Sequence, residues 1–459
     1  MTYAADELAE WAVELSLEDI PAEVVEQAKL HLLDAVGTGL AALALDEMPS
    51  ARRLAREMGG RPEATALGVE EPLPAALAAF VNGVLMHALD YDDTHEQALV
   101  HSSVVVCPVT LACGEAADAA GDEALAAAIA GFEISSRIGL AAAGRFHLRG
   151  FHPTSVCGVF AAAAVAARLR GLSVAETRNA LGIAGSQASG LLEFLADGSQ
   201  TKPLHPGWAS LAGIVAAGLA AGGATGPASV LEGRFGLLAT HVDEFDAAAL
   251  TDGLGTRWET LRIAYKPYPA CHCTHTCLDA LADLVAESGL AAGDVAEIVC
   301  RVPGRLAVEL VLEPAERKLR PATAYDAKFS LPYCLASLLV RGSLGVASFT
   351  SSAIQDAEVL RLAELVHYEV APFPGGNDLS GGVLVRTGDG TRLERAVLHP
   401  RGGIDNPMSP GDVVEKFGAN AVLALPEAVV DRLAVAHLHL EEERVGELAR
   451  LLAAAPAVA

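Results

Sequence analysis

VVEQAKLHLLDAVGTGLAAL, residues 24–43, is the stretch that decides the class of fold. Ala28, Leu32, Leu33, Val36 and Leu40 recur at three- and four-residue spacing, which puts an apolar stripe along one side of a helix. The same texture runs from residue 5 to about 260, interrupted by Gly-rich breaks at Gly59-Gly60 and Gly222-Gly223. Ser173-Val-Ala-Glu176 is a capping box, in which a serine and a glutamate three residues later satisfy free helix N–H groups. It predicts a helix opening at Val174 and running over 174–190.

Near Lys266 the texture changes. One helix is predicted over about 275–288, and 296–302 alternates like a strand. Residues 383–386, 387–390 and 392–398 read as a hairpin around Asp389-Gly390. Helical spacing returns after Pro410. The expected class is therefore mainly α. A large all-helical domain covers 1–265 and 403–459, and a smaller α+β lid domain over 266–402 is inserted into it.

The 459 residues are 52% hydrophobic, 20% charged and only 5% aromatic, a mix suited to closely packed helices and not to disorder. A net charge of −26 argues against nucleic acid and anionic membranes, both of which require basic patches. An anionic substrate requires only a few cations focused in a cleft. The start, MTYAADELAEWAVELS, is acidic and amphipathic, unlike an export signal. The best membrane candidate, the uncharged run from Trp208 to Leu231, is broken at Gly222-Gly223 after roughly four turns, too short to span a bilayer. Eight cysteines in so long a chain do not make a disulfide scaffold. The expectation is a cytoplasmic protein with reduced thiols.

Four clusters can carry chemistry. From His87 to His101, fifteen residues hold three Asp, three His and Thr94. If the segment is helical, His87, Asp90, Tyr91 and Thr94 share one face. Acid/base work, a metal site and a solvated helix end all fit this pattern. His152 opens an Ala-rich helix, either as a turn residue or beside an anion at the helix N-terminus. Lys202 and His205 sit in a Gly/Pro-bounded loop between apolar helices, where a solvated lysine is the plainer alternative. Cys271, His272, Cys273, His275 and Cys277 crowd seven residues. Their spacing is neither a CxxC pair nor a finger, and a helix from residue 275 would point His275 and Cys277 apart. No dinucleotide fingerprint, P-loop, HExxH or GxSxG is present, so hydride transfer, nucleotide hydrolysis and serine hydrolysis lose support.

The segments from His87 to Thr94, His152-Pro-Thr-Ser155, Leu192 to Ala209, Lys266-Pro-Tyr-Pro269 and His399 to Phe417 together resemble the MmgE/PrpD family, in order and over most of the chain. That family includes 2-methylcitrate dehydratase, cis-aconitate decarboxylase and iminodisuccinate epimerase. The resemblance implies a homodimer that acts without metal or other cofactor on a small polycarboxylate. It implies catalytic roles for Asp90, Thr94, His101, His152, Lys202 and Lys266. Lys202, Lys266, His152, Cys271 and His275 are implied as substrate-binding. Cys271 stands where animal decarboxylases of the family have a histidine, and no tyrosine follows Val302-Pro303 as it does in them. The leading expectation is therefore a hydro-lyase of the 2-methylcitrate dehydratase kind. An epimerase of an amino-polycarboxylate comes next, then a cis-aconitate decarboxylase, then a non-catalytic homologue. All of these reactions place charge on carbon beside a carboxylate, which calls for a base of near-neutral pKa and for cations.

Overall fold

The computed structural model describes residues 2–456, and these fall into two compact units. The first comprises the chain up to Ala88, Asp92–Ala264, and the chain from Ser409 onward; the second comprises Leu89–Tyr91 and Tyr265–Met408.

The first unit is a bundle of helices joined by short loops. Its centre is the helix Ala22–Ala44, which packs against the helices Ala75–Ala88, Ser103–Ala116 and Pro410–Ala421. The predicted stripe is fully buried, but so is every other residue from Ala28 to Leu43. The helix is a core helix covered on all sides, so its one-sided spacing understated its burial. Ser173 caps Val174–Ala184 as the sequence predicted, Glu176 returning the bond. That helix ends earlier than 190, passing into a tight turn over Gly185–Gln187.

Small residues let these helices approach closely. A Cβ on Gly213 would lie 2.3 Å from Ala162 Cβ, and one on Gly207 would lie 2.6 Å from the Phe80 carbonyl oxygen. The helix Leu204–Ala221 is thereby seated against both Pro153–Leu169 and Ala75–Ala88, and this brings His205 to the end of the bundle where His152 and His87 lie. Gly121–Ala142 and Leu204–Ala221 are each long and apolar enough to cross a membrane by length and composition. The apolar windows of the two are 94% and 56% buried. From the sequence only the second is a candidate, and its run from Trp208 is too short to span a bilayer; the helix begins at Leu204, and its 18 residues reach that length.

In the first unit β1 (Thr94–His95) pairs antiparallel with β2 (Ile263–Ala264). The second unit is built on a sheet of β3 (Val295–Val302), β4 (Val366–Val370), β5 (Gly381–Thr387) and β6 (Arg392–Val397), in the order β4-β3-β5-β6. Strand β3 runs parallel to β4 and antiparallel to β5, which forms a hairpin with β6. The hairpin and β3 match the predicted alternation. Strand β4 was not predicted, although Val366, Tyr368 and Val370 alternate with His367 and Glu369; only Val366 of the five is buried. The helix His275–Ser288 packs on β5 and β6. Leu278, Leu281, Ile298, Leu335, Val383 and Val385 are all fully buried in this unit's core.

Candidate active site

The first unit gathers its histidines at helix ends. His87 lies near the end of the helix Ala75–Ala88, so the predicted helical face running on to Thr94 does not form. The chain instead turns at Asp90, whose φ of +53° is a left-handed conformation that a helix cannot accommodate. His101 precedes Ser103–Ala116. His152 is the N-cap of Pro153–Leu169, held extended because the following proline disfavours helical geometry there. His205 sits in the first turn of Leu204–Ala221, three residues after Lys202.

A single carboxylate organises two of these rings. Asp92 Oδ2 lies 2.8 Å from His87 Nδ1 and 3.2 Å from His101 Nδ1. His101 Nδ1 is also 2.7 Å from the Asp93 carbonyl oxygen and 2.9 Å from Thr94 Oγ1, while its backbone N–H donates to Thr154 Oγ1. Asp93 in turn is 2.8 Å from His31 Nδ1 and accepts from the Ser103 N–H. His152 Nδ1 faces His205 Nδ1 at 3.0 Å, and the His152 ring stacks against His87 with centroids 5.6 Å apart.

Burial sets the charge states. It pushes His87 down to about 4 against the opposing pull of Asp92, with Lys202 and His101 adding to the fall. It likewise takes His205 down to about 4, helped by His87 and Lys202. His152 is driven well below the usual imidazole range by burial, then by His87 and Lys202. Burial would raise Asp92, but His87 and His101 together outweigh it and hold the carboxyl well below its ordinary value. At neutral pH the cluster is therefore one carboxylate beside uncharged His87, His152 and His205, with the Lys202 ammonium in electrostatic reach. Uncharged imidazoles accept protons, and a cation beside them attracts a carboxylate.

The other predicted residues belong to the second unit. Lys266 Nζ lies 3.2 Å from Asp90 Oδ1 and donates to the Asp90 carbonyl at 3.0 Å, both side chains being buried. Lys328 donates to the Leu89 carbonyl, and Tyr91 Oη donates to the Pro267 carbonyl. These bonds hold Leu89–Tyr91 within this unit. The Cys271 N–H donates to the Lys328 carbonyl. The Cys271 thiol is pulled below its usual value, first by a hydrogen bond with Cys273, against the opposing effect of burial, and with help from Lys266. His275 has no exposed surface, and its Nε2 is 3.2 Å from the Ala270 carbonyl oxygen. Cys277 Sγ instead lies 3.4 Å from the Gly382 carbonyl oxygen, so His275 and Cys277 do diverge. None of the eight cysteines is in a disulfide.

The six predicted catalytic residues thus divide. Thr94, His101, His152 and Lys202 gather in the first unit, and Asp90 and Lys266 pair in the second. Asp92, His87 and His205 were not among them. Asp92 is five residues from His87, a spacing that matches no helical face, and His205 pairs with His152 across 53 positions.

A helical bundle presenting uncharged imidazoles around a buried carboxylate, with a lysine in reach, holds the groups that acid/base chemistry uses. The chain belongs to the MmgE/PrpD family and is an enzyme of that type: the family's N-terminal domain model matches residues 6–249 and its C-terminal domain model matches residues 268–442. It is similar to the cis-aconitate decarboxylase of Homo sapiens, at 32% identity over 91% of this chain and 88% of the relative. It is also similar to the cis-aconitate decarboxylase of Mus musculus, at 30% over 94% and 89%. A cis-aconitate decarboxylase-like protein of Aspergillus oryzae is 29% identical over 97% and 96%.

Proposed function

We propose that this protein is a lyase for a small polycarboxylate, working by proton transfer at a carbon beside a carboxylate and without a cofactor. The observation that carries this reading is the pair His87 and His101 on Asp92, with His152 stacked on His87, which places imidazole nitrogens at fixed positions for proton transfer. Lys202, in electrostatic reach of His87 and His152, is the group to hold a substrate carboxylate. Lys266 and Asp90 hold the second unit's share of the motif in place through their buried pair.

Water addition or elimination on a hydroxy-polycarboxylate of 2-methylcitrate or citrate type is the first assignment. A family decarboxylase has histidine where this chain has Cys271, and a thiol carries no positive charge for a carbanion to rest against. The lowered Cys271 pKa narrows this difference, because it makes the thiol a better proton donor than an ordinary cysteine. Decarboxylation of cis-aconitate is the second reading, favoured by the names of the relatives at 32% and 30% identity.

The test is a substrate panel of citrate, 2-methylcitrate, cis-aconitate and iminodisuccinate, with products followed by NMR. Hydration or dehydration products are expected, with carbon dioxide release from cis-aconitate far slower. Itaconate formed at about one turnover per second, an ordinary enzyme rate at the slow end, would overturn the first assignment in favour of the second. No conversion of any member would overturn both.

A further inference from the structure

We propose that His87, His101 and His152 form a binding site for a borderline divalent metal ion, zinc above all, and that the bound ion shuts the enzyme off. The shut-off, though not the binding, rests on the catalytic reading of the same rings. One nitrogen from each of the three lies within 4.8 Å of the others. A tetrahedral zinc with bonds of about 2.0–2.1 Å holds its ligand nitrogens roughly 3.3 Å apart. The rings therefore need to close by little more than an ångström, within the reach of small side-chain rotations. Three protein nitrogens and one open position form a complete zinc coordination set, the fourth place going to water or a substrate carboxylate.

The rings are also oriented for it. Nδ1 of His87 is on Asp92, Nδ1 of His101 is on the Asp93 carbonyl and Thr94, and Nδ1 of His152 is on His205. In each ring this leaves Nε2 as the ligand atom. His87 Nε2 is buried with no hydrogen-bond partner among the described residues, an arrangement that folded proteins rarely leave without a use. Asp92 contacts the far nitrogens of both His87 and His101, and a carboxylate behind a ligating imidazole fixes the ring and strengthens its bond to the metal.

Lys202 opposes the ion, being in electrostatic reach of His87 and His152. This like charge sets the selectivity. Magnesium and calcium need several oxygen ligands, and the carboxylate on these rings, Asp92, is engaged behind His87 and His101. Zinc, nickel and copper bond to imidazole itself and tolerate one nearby cation. Occupation removes the lone pairs that accept the substrate's proton, which is why the ion inhibits. The thiols at Cys271 and Cys273 are the competing ligands, and a spectrum separates them from the imidazoles.

Calorimetry with zinc chloride on chelator-stripped protein is expected to show one ion per chain, with no binding of magnesium. Cobalt(II) on the same protein is expected to give tetrahedral visible bands without a thiolate charge-transfer band, a reading that needs no variant. Asp92→Asn is expected to weaken zinc about 10- to 100-fold, whereas Lys202→Ala, by removing a like charge, tightens it. Turnover is expected to fall in step with occupancy and to return with chelator. A thiolate band, no saturable zinc binding, or unchanged affinity in His152→Ala would overturn the site. Binding that leaves turnover untouched would overturn the shut-off and the catalytic reading of the rings, while the metal site stands. Loss of binding with turnover intact would remove the site alone.

Discussion

His101→Ala lowers kcat by about a hundredfold to ten-thousandfold, the range over which a positioned acid or base acts. The geometry gives the reason. His101 Nδ1 is engaged by Asp92, Thr94 and the Asp93 carbonyl, so its other nitrogen is the one presented to substrate. Alanine removes that nitrogen and the ring contact with His87. His101 is on the surface of the cluster and its side chain is partly exposed, so the fold loses little. Circular dichroism is expected to be unchanged, and the loss to appear in kcat more than in KM. Turnover within a few-fold of the parent would remove His101 from the mechanism.

The second large effect is on stability. Lys416 Nζ is 2.8 Å from Asp34 Oδ1 and 3.0 Å from Oδ2, and both side chains are buried in the first unit. Burial pushes Asp34 up and Lys416 down, each opposed by the other's charge, so neither ion is well solvated without its partner. Lys416→Met alone strands a carboxylate in the helical core and is expected to cost about 3–5 kcal/mol in denaturant unfolding. Combining it with Asp34→Leu is expected to recover most of that loss, since a well-packed apolar pair often matches a buried ion pair. A single variant within about 1 kcal/mol of the parent would show that the pair is unimportant to stability.

The helical body was legible from residues 24–43 because helical spacing survives in a helix covered on all sides. The capping box at Ser173 and the hairpin at Asp389-Gly390 were legible because each is a local interaction. Strand β4 was legible but overlooked: Val366, Tyr368 and Val370 alternate with His367 and Glu369 as a strand's residues do. Of the predicted site residues, His152 and Lys202 stood out in Gly- and Pro-bounded segments, whereas the role of His101 came from the resemblance. Asp92 did not stand out, because it falls off the face that His87, Asp90, Tyr91 and Thr94 would share in a helix, and the left-handed turn at Asp90 was not visible. His205 had been quoted beside Lys202, but its pairing with His152 depends on helices packing at Gly207 and Gly213. Tertiary approach of that kind leaves no trace in local spacing.

Proton transfer at a carbon beside a carboxylate is the work assigned to the imidazole cluster. It is tested most directly by incubating the metal-stripped enzyme with the panel substrates in deuterium oxide and reading carbon-bound deuterium by NMR. Hydration, epimerisation and decarboxylation all protonate that carbon, so the mechanism predicts one solvent deuteron at it in their products, whereas elimination removes that proton and places the deuteron only in substrate re-formed by the reverse reaction. It also predicts that His101→Ala slows this incorporation as much as it slows turnover. A hydration, epimerisation or decarboxylation product formed at an undiminished rate with no carbon-bound deuterium would contradict it.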